Sequence, residues 1–315
     1  MTSEGTPTHE AAPAGISRPG GPGLMAGRTV SRLGYGAMQL ARLHGDRDAA
    51  VALLRHAIDL GVDHVDTAEF YGDGFVNDVI REALRSRDDD VLVVSKVGAT
   101  ADPGGSPPLR LAQRPEELRA SVEENLATLQ LERIPVVNLR RVDAGITIPV
   151  PEGQAVDLDD QLAELIALRS EGKIGAIGLS SVTIDGLRRA LPAGIVCVQN
   201  AYSLLDRDDE DMLQLCADEH IPWVPYFPLG GALPGLAKVT DEPTVLAAAQ
   251  NLGCTPAQVG LAWLLHHAPH VLLIPGTADA GHLEANLAAG AITLDEETLA
   301  TLDAIESHSN DVAIG

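Results

Sequence analysis

The chain has 315 residues, 45% of them hydrophobic, and a formal charge of −23. That length suits one barrel-sized domain of roughly 250 residues with an extension, and no apolar run approaches the ~18 residues that a membrane span requires. The charge argues against nucleic acid or an anionic membrane as partner, because the long-range field repels phosphate; what remains is a small-molecule partner, with any phosphate on it held by local donors.

Residues 1–27 are rich in Gly, Pro, Ser and Thr without periodicity and read as a flexible, disordered N-terminal tail; they carry no export signal. From Arg28 short apolar strands alternate with amphipathic helices. Strands are predicted at Leu33–Met38, His64–Asp66, Val91–Lys96, Ile134–Leu139, Ile174–Leu179, Ile195–Gln199, Trp223–Tyr226 and Val271–Ile274. Helices are predicted between them at Asp46–Leu60, Val76–Arg85, Pro115–Leu129, Leu158–Glu171, Ile184–Ala190, Asp208–Asp218, Pro243–Leu252 with Pro256–His267, and Ala280–Ala289, followed by Asp295–Ser307. Alternating β and α elements imply a parallel sheet. Eight units, with no G-x-G-x-x-G after the first strand, favour a closed (β/α)₈ TIM barrel over residues 28–315 rather than an open dinucleotide-binding sheet. The Gly/Pro-rich stretch Gly98–Gln113 follows a strand and reads as a long loop on the C-terminal face, where barrel active sites lie.

The three cysteines, Cys197, Cys216 and Cys254, show neither C-x-x-C nor metal-ligand spacing, which suits ordinary thiols in a reducing cytoplasm. Lysine occurs only at positions 96, 173 and 238, and tyrosine only at 35, 71, 202 and 226. In a chain that otherwise uses arginine, each lysine asks for a reason, since only lysine is a compact, readily titrated point charge. Asp66 ends the second strand, Tyr71 follows five residues on, and Lys96 ends the third strand, so the three can meet at the barrel mouth. Reducing a carbonyl by hydride needs a proton for the developing alkoxide. A tyrosine, with its pKa near ~10, does that work better beside a cation. On spacing alone, a buried ion pair with an unrelated surface tyrosine is the competing reading. Lys173 precedes a strand on the opposite face and reads as structural. His266, His267 and His270 read as helix-end residues, and Trp223 and Trp263 as core and pocket wall.

Seven ordered segments carry a family resemblance: Arg32–Met38, Asp66–Tyr71, Val94–Lys96, Gly172–Ser180, Val198–Tyr202, Pro225–Gly230 and Ile274–Thr277. Together they resemble the aldo-keto reductases over about Arg32 to Ile305. The resemblance implies reduction of a small aldehyde or ketone by NADPH, with Tyr71 as proton donor and Asp66 and Lys96 as its partners. It implies that Ser180 and Gln199 hold the nicotinamide carboxamide and that Tyr226 stacks on the ring. The Leu229–Gly231 backbone and the Gly276-Thr277 turn would face the pyrophosphate and adenosine end. Backbone N–H groups entering the helix near Ala280 also suit a phosphate on their own account.

Three departures matter. Arg140 stands where many family members carry a fourth catalytic residue, His. It keeps its proton, so it either polarises the carbonyl or binds an anion, or else pairs with a local carboxylate outside the site. A subgroup similar to bacterial pyridoxal reductases shares the Leu-Arg and the Leu-Gly-Tyr-Gly-Ala-Met-Gln-Leu start, which makes a pyridoxal-like aldehyde a candidate substrate. The usual Ser-Asn is Ser180-Ser181. At the cofactor's far end, before Asn286, Asp279 and Glu284 would repel a 2′-phosphate and leave room for NADH. The rival reading is a cofactor-binding regulatory barrel with little turnover, like the potassium-channel β-subunits of this fold.

Overall fold

The computed structural model describes residues 18–85, 87, 89–105, 109–145, 149–231 and 236–308. It opens with an antiparallel hairpin, β1 (Pro22–Met25) and β2 (Arg28–Ser31). Ala26 and Gly27 form its two-residue turn, both at positive φ (50° and 75°), the twist that matches paired strands. The expected tail of residues 1–27 therefore ends earlier; 18–27 belong to the fold, and 1–17 lie outside the described residues.

Six parallel strands follow in the spatial order β3 (Tyr35–Gly36), β4 (His64–Asp66), β5 (Leu92–Val97), β8 (Ile134–Arg140), β9 (Ile174–Ser180) and β10 (Ile195–Gln199). β6 (Ala99–Ala101) and β7 (Leu109–Leu111) form a separate antiparallel ribbon inside the stretch expected to be a plain loop. The predicted strands Trp223–Tyr226 and Val271–Ile274 appear as single parallel bridges. Val198 bridges Trp223, Trp223 bridges Val271, and Leu273 bridges Leu33 at the foot of β3, which closes the ring. The chain is thus a (β/α)₈ barrel with eight strand positions. The first strand is shorter than predicted because Ala37–Leu43 winds into a 3₁₀-helix.

The helices are α1 (Arg47–Asp59), α2 (Phe75–Leu84), α3 (Pro115–Leu129), α4 (Leu158–Ser170), α5 (Ile184–Ala190), α6 (Glu210–Asp218), α7 (Pro243–Leu252), α8 (Pro256–His267), α9 (Ala280–Ala288) and α10 (Glu296–Asp303). Their starts follow the chemistry of the first turn. Asp46, Asp157, Thr183, Thr255, Asp279 and Asp295 each accept a backbone N–H there, and Pro stands at the first turn of α3, α7 and α8. α10 ends at Asp303, four residues before the expected Ser307.

Strand alternation sorts the core into two layers. Val65, Val93, Val137, Leu139, Ile177 and Leu179 face outward into the main cluster beneath the helices. Leu92, Val94, Val136, Cys197, Val224 and Leu272 face inward, and Met25 and Val30 of the hairpin pack among them as a plug. The same alternation carries the next inward side chains, Asp66, Lys96, Arg140 and Ser180, to the C-terminal mouth.

Candidate active site

The mouth holds a cavity of about 390 Å³. Of the candidate residues, Asp66, Tyr71, Lys96, Arg140, Ser180, Ser181, Gln199, Tyr226, Leu229, Gly276 and Asn286 line it. Gly231, Thr277 and Asp279 do not. Gly230 takes the wall position, while the Gly231 N–H bonds the Ala237 carbonyl. Thr277 is buried behind the wall, its carbonyl accepting from the Tyr35 hydroxyl at 2.5 Å.

Register explains the convergence. Asp66 pairs with Gly36 and Val94, Lys96 with Asn138, and Ser180 with both Arg140 and Gln199. Lys96 thus lies two residues beyond the partner of Asp66, and Arg140 two beyond the partner of Lys96, so each stands at or beside the C-terminal end of its own strand. The Lys96 ammonium contacts Asp66 Oδ1 and donates to the Thr67 carbonyl at 3.2 Å. It lies 5.2 Å from the centre of the Tyr71 ring. Burial alone would lower the Lys96 pKa; the Asp66 carboxylate, and then the Tyr71 hydroxyl, outweigh it and hold the ammonium above the ordinary lysine value. The second Asp66 oxygen accepts from Gln199 Nε2 at 2.7 Å. Because a carboxylate only accepts, this fixes the Gln199 amide with its carbonyl oxygen turned away from Asp66. That oxygen is buried and has no partner.

A polar network latches the trio to the helices behind it. Thr67 Oγ1 donates to Asn77 Oδ1 at 2.9 Å, and Asn77 Nδ2 donates to Asn125 Oδ1 and Thr128 Oγ1 at 3.1 and 3.0 Å. Ser95 Oγ donates to the same Asn125 oxygen at 2.6 Å, and Asn125 Nδ2 to the Ser121 carbonyl at 2.8 Å. Thr67 and Ser95 each adjoin a member of the trio, so α2 and α3 fix the ends of β4 and β5.

Arg140 stays in the site. It forms no ion pair among the described residues, and its Nη1 is buried without an acceptor. Burial lowers its pKa, opposed by Tyr226 and Tyr71. Burial raises the pKa of Tyr226, whose hydroxyl lies 3.1 Å from Ser181 Oγ, so it persists as a neutral phenol. The carboxylates expected at the adenosine end are engaged. Asp279 Oδ1 accepts from the His282 N–H at 2.8 Å, occupying the helix start proposed for a phosphate, and Glu284 pairs with His56 at 2.8 Å. Neither lines the cavity. Lys173 pairs with Glu123 and Glu171 on the surface. His267 lies against Glu210 and stacks on Trp263, and both tryptophans are fully buried.

Several wall residues had no individual role assigned from the sequence, although all but Leu109 stand in stretches that carry the family or subgroup resemblance: Met38, Gln39, Phe70, Leu109, Phe227 and Pro228. Position would have found most of them, because each of Met38, Gln39, Phe227 and Pro228 follows the end of a barrel strand.

Comparison with known proteins gives a consistent answer. The family model described as the aldo/keto reductase family matches residues 32–307. Pyridoxine 4-dehydrogenase of Escherichia coli K12 is 43% identical over 284 residues, covering 88% of this chain and 96% of that protein. An uncharacterised oxidoreductase of Schizosaccharomyces pombe is 32% identical, covering 87% of this chain and 86% of its own. Among solved structures, an aldo-keto reductase from Klebsiella pneumoniae in complex with NADPH superposes with a TM-score of 0.73 at 28% identity, covering 90% of this chain and 93% of that one. Another from the same organism, with NADP and acetate, reaches 0.75 at 26% identity, covering 94% and 100%. The chain belongs to the aldo/keto reductase family of NAD(P)-dependent oxidoreductases.

Proposed function

We propose that this protein reduces a small aldehyde or ketone to the alcohol with NADPH, Tyr71 donating the proton. One observation carries the reading. Tyr71, Lys96 and Asp66 meet at the mouth of an apolar-walled cavity beside a buried, unpartnered Gln199 carbonyl oxygen.

That oxygen fits a nicotinamide carboxamide, whose N–H would satisfy it. Ser180 and Ser181 supply hydroxyls beside it, and Tyr226 offers a flat neutral ring. Leu229, Gly230, Gly276 and Asn286 continue the wall toward the adenosine end. The nicotinamide, when bound, supplies hydride to the carbonyl carbon. The Tyr71 hydroxyl gives its proton to the alkoxide oxygen, and the phenolate left behind faces the Lys96 ammonium, which offsets its charge. Asp66 holds that ammonium in place while its other oxygen orients Gln199. The apolar walls exclude water from the reacting carbon.

The likeness to pyridoxine 4-dehydrogenase supports a pyridoxal-like aromatic aldehyde as substrate, and the NADPH- and NADP-bound relatives support NADPH. No described helix is long and apolar enough to cross a membrane, and Cys197, Cys216 and Cys254 are free thiols, which supports a reducing, cytoplasmic setting. Tyr71→Phe tests the reading. Turnover followed by NADPH oxidation should fall by about 10²–10⁴-fold, while the NADPH dissociation constant, read by fluorescence, stays within about threefold. Unchanged turnover overturns the assignment.

A further inference from the structure

Three charged groups line the cavity among the described residues: Asp66, Lys96 and Arg140. The first two neutralise each other. Arg140 is left as an uncompensated guanidinium with a buried N–H that has no acceptor. A buried, unpaired charged donor costs several kcal/mol in general, so such a group is found where a partner arrives from outside.

The local structure keeps the fold's own carboxylates away from it. Its neighbour Arg141 takes Asp143, with Nε to Oδ2 at 2.8 Å, and also contacts Gln161. Gln113 Nε2 donates to the Arg140 carbonyl at 2.9 Å, and Gln161 Nε2 holds Gln113 through its carbonyl at 2.7 Å. Arg141 is thus spent beside α4, while the Arg140 backbone is pinned with its side chain in the cavity. The net charge of −23 gives an incoming anion no long-range attraction, so local recognition must do the work.

Resting on the carbonyl-reductase reading, we propose that Arg140 selects aromatic aldehydes that carry an ionised hydroxyl ortho to the aldehyde. Arg140 and Tyr71 line the same cavity of about 390 Å³, so a ligand small enough to fill it and reach both carries its anion and its carbonyl oxygen close together. An ortho-phenolate meets that requirement. Met38, Phe70, Leu109, Phe227 and Leu229 supply apolar walls for a planar ring. The phenolate accepts from the guanidinium while the aldehyde oxygen accepts from Tyr71. Hydride from the reduced nicotinamide adds to the aldehyde carbon, and the carbonyl π pair moves to oxygen and takes the Tyr71 proton. The products are the hydroxybenzyl alcohol and oxidised nicotinamide; Tyr71 regains its proton from solvent, and Arg140 neither gains nor loses one.

The test compares salicylaldehyde with 2-methoxybenzaldehyde, which keeps the ring, the aldehyde and the ortho oxygen, is larger by one methyl group and cannot ionise. The wild-type kcat/KM should favour salicylaldehyde by at least tenfold, with the preference growing as pH rises through ionisation of the ligand hydroxyl. In Arg140→Met the preference should shrink to below threefold, and Arg140→Lys should restore part of it. Calorimetric titration of the NADP-bound protein with both aldehydes gives a second readout independent of turnover. Tighter binding of salicylaldehyde that is lost in Arg140→Met, with no reduction of either compound, would uphold the role of Arg140 and overturn the reductase reading. Equal wild-type preference, or a preference that survives Arg140→Met, overturns the role of Arg140 while leaving the reductase reading in place.

Discussion

Replacing Asp66 by asparagine preserves shape and one acceptor but removes the charge that balances Lys96. The two side chains are 6% and 8% exposed, so water cannot take over. Breaking a buried pair by removing one partner typically costs 3–5 kcal/mol; the retained acceptor places Asp66→Asn near the lower end, at about 3 kcal/mol. In a domain of this size that corresponds to a fall in Tm of about 5 °C. The pH dependence makes the origin visible. In the wild type the Lys96 pKa is raised, so its contribution is fully present below the ordinary lysine value of 10.5 and is lost only as pH rises through the folded-state value. Without the carboxylate, burial becomes the dominant influence and the folded-state pKa drops below the ordinary value. The charged ammonium then penalises the variant at neutral pH, and that penalty is relieved as pH rises through the lowered pKa. The stability gap between the two proteins, measured by urea denaturation, should therefore narrow between pH 7 and pH 9.5. A gap that is equal at both values, or smaller than about 1 kcal/mol at neutral pH, would refute the argument.

Two further outcomes are expected. Asp279→Asn keeps the N-cap of α9 but removes a negative charge near the expected 2′-phosphate, so the NADPH-over-NADH affinity ratio should rise by about 3–10-fold at low salt; fluorescence titration with both cofactors checks this, and an unchanged ratio would show that the carboxylate lies outside the phosphate's field. Glu69 is buried beside Glu124 and Asp73, and burial, followed by these two charges, pushes its pKa up to about 7. A raised carboxyl costs stability as pH climbs above its unfolded value of 4.5 and costs most above the folded one. Glu69→Gln should therefore be about 3 kcal/mol more stable than the wild type at pH 8 and indistinguishable at pH 4; denaturation at the two values checks it.

The barrel was legible because its strands follow the burial they need. Val93-Val94-Ser95-Lys96 and Val136-Val137-Asn138-Leu139 are apolar on both faces until the mouth, where the inward face turns polar at Lys96 and Asn138 and Ser95 adds a polar group toward α3. The mouth chemistry was legible for the same reason, since a charged residue at a strand end has few other destinations. The hairpin at 22–31 was not, because its Gly/Pro-rich composition hides two plug residues, Met25 and Val30, that do no periodic work. The strand positions at Trp223 and Val271 are single bridges, so their sequence signal exceeds their regular structure. Arg140 left two destinations open because the sequence does not say which arginine of Arg140-Arg141 captures Asp143. The roles of Asn77 and Asn125 were invisible, since a buried asparagine on a helix looks like any surface one until its partners are known.

The hairpin plug turns the barrel from a tube into a cup. Whatever enters the mouth must leave by the same opening, and water displaced on binding has no exit through the floor. Admission and release are therefore governed by one set of segments, among them the paired strands Ala99–Ala101 and Leu109–Leu111 and the turn from Phe227 to Gly230. A substitution there that slows entry should slow departure as well, so that residence time can change while affinity barely moves.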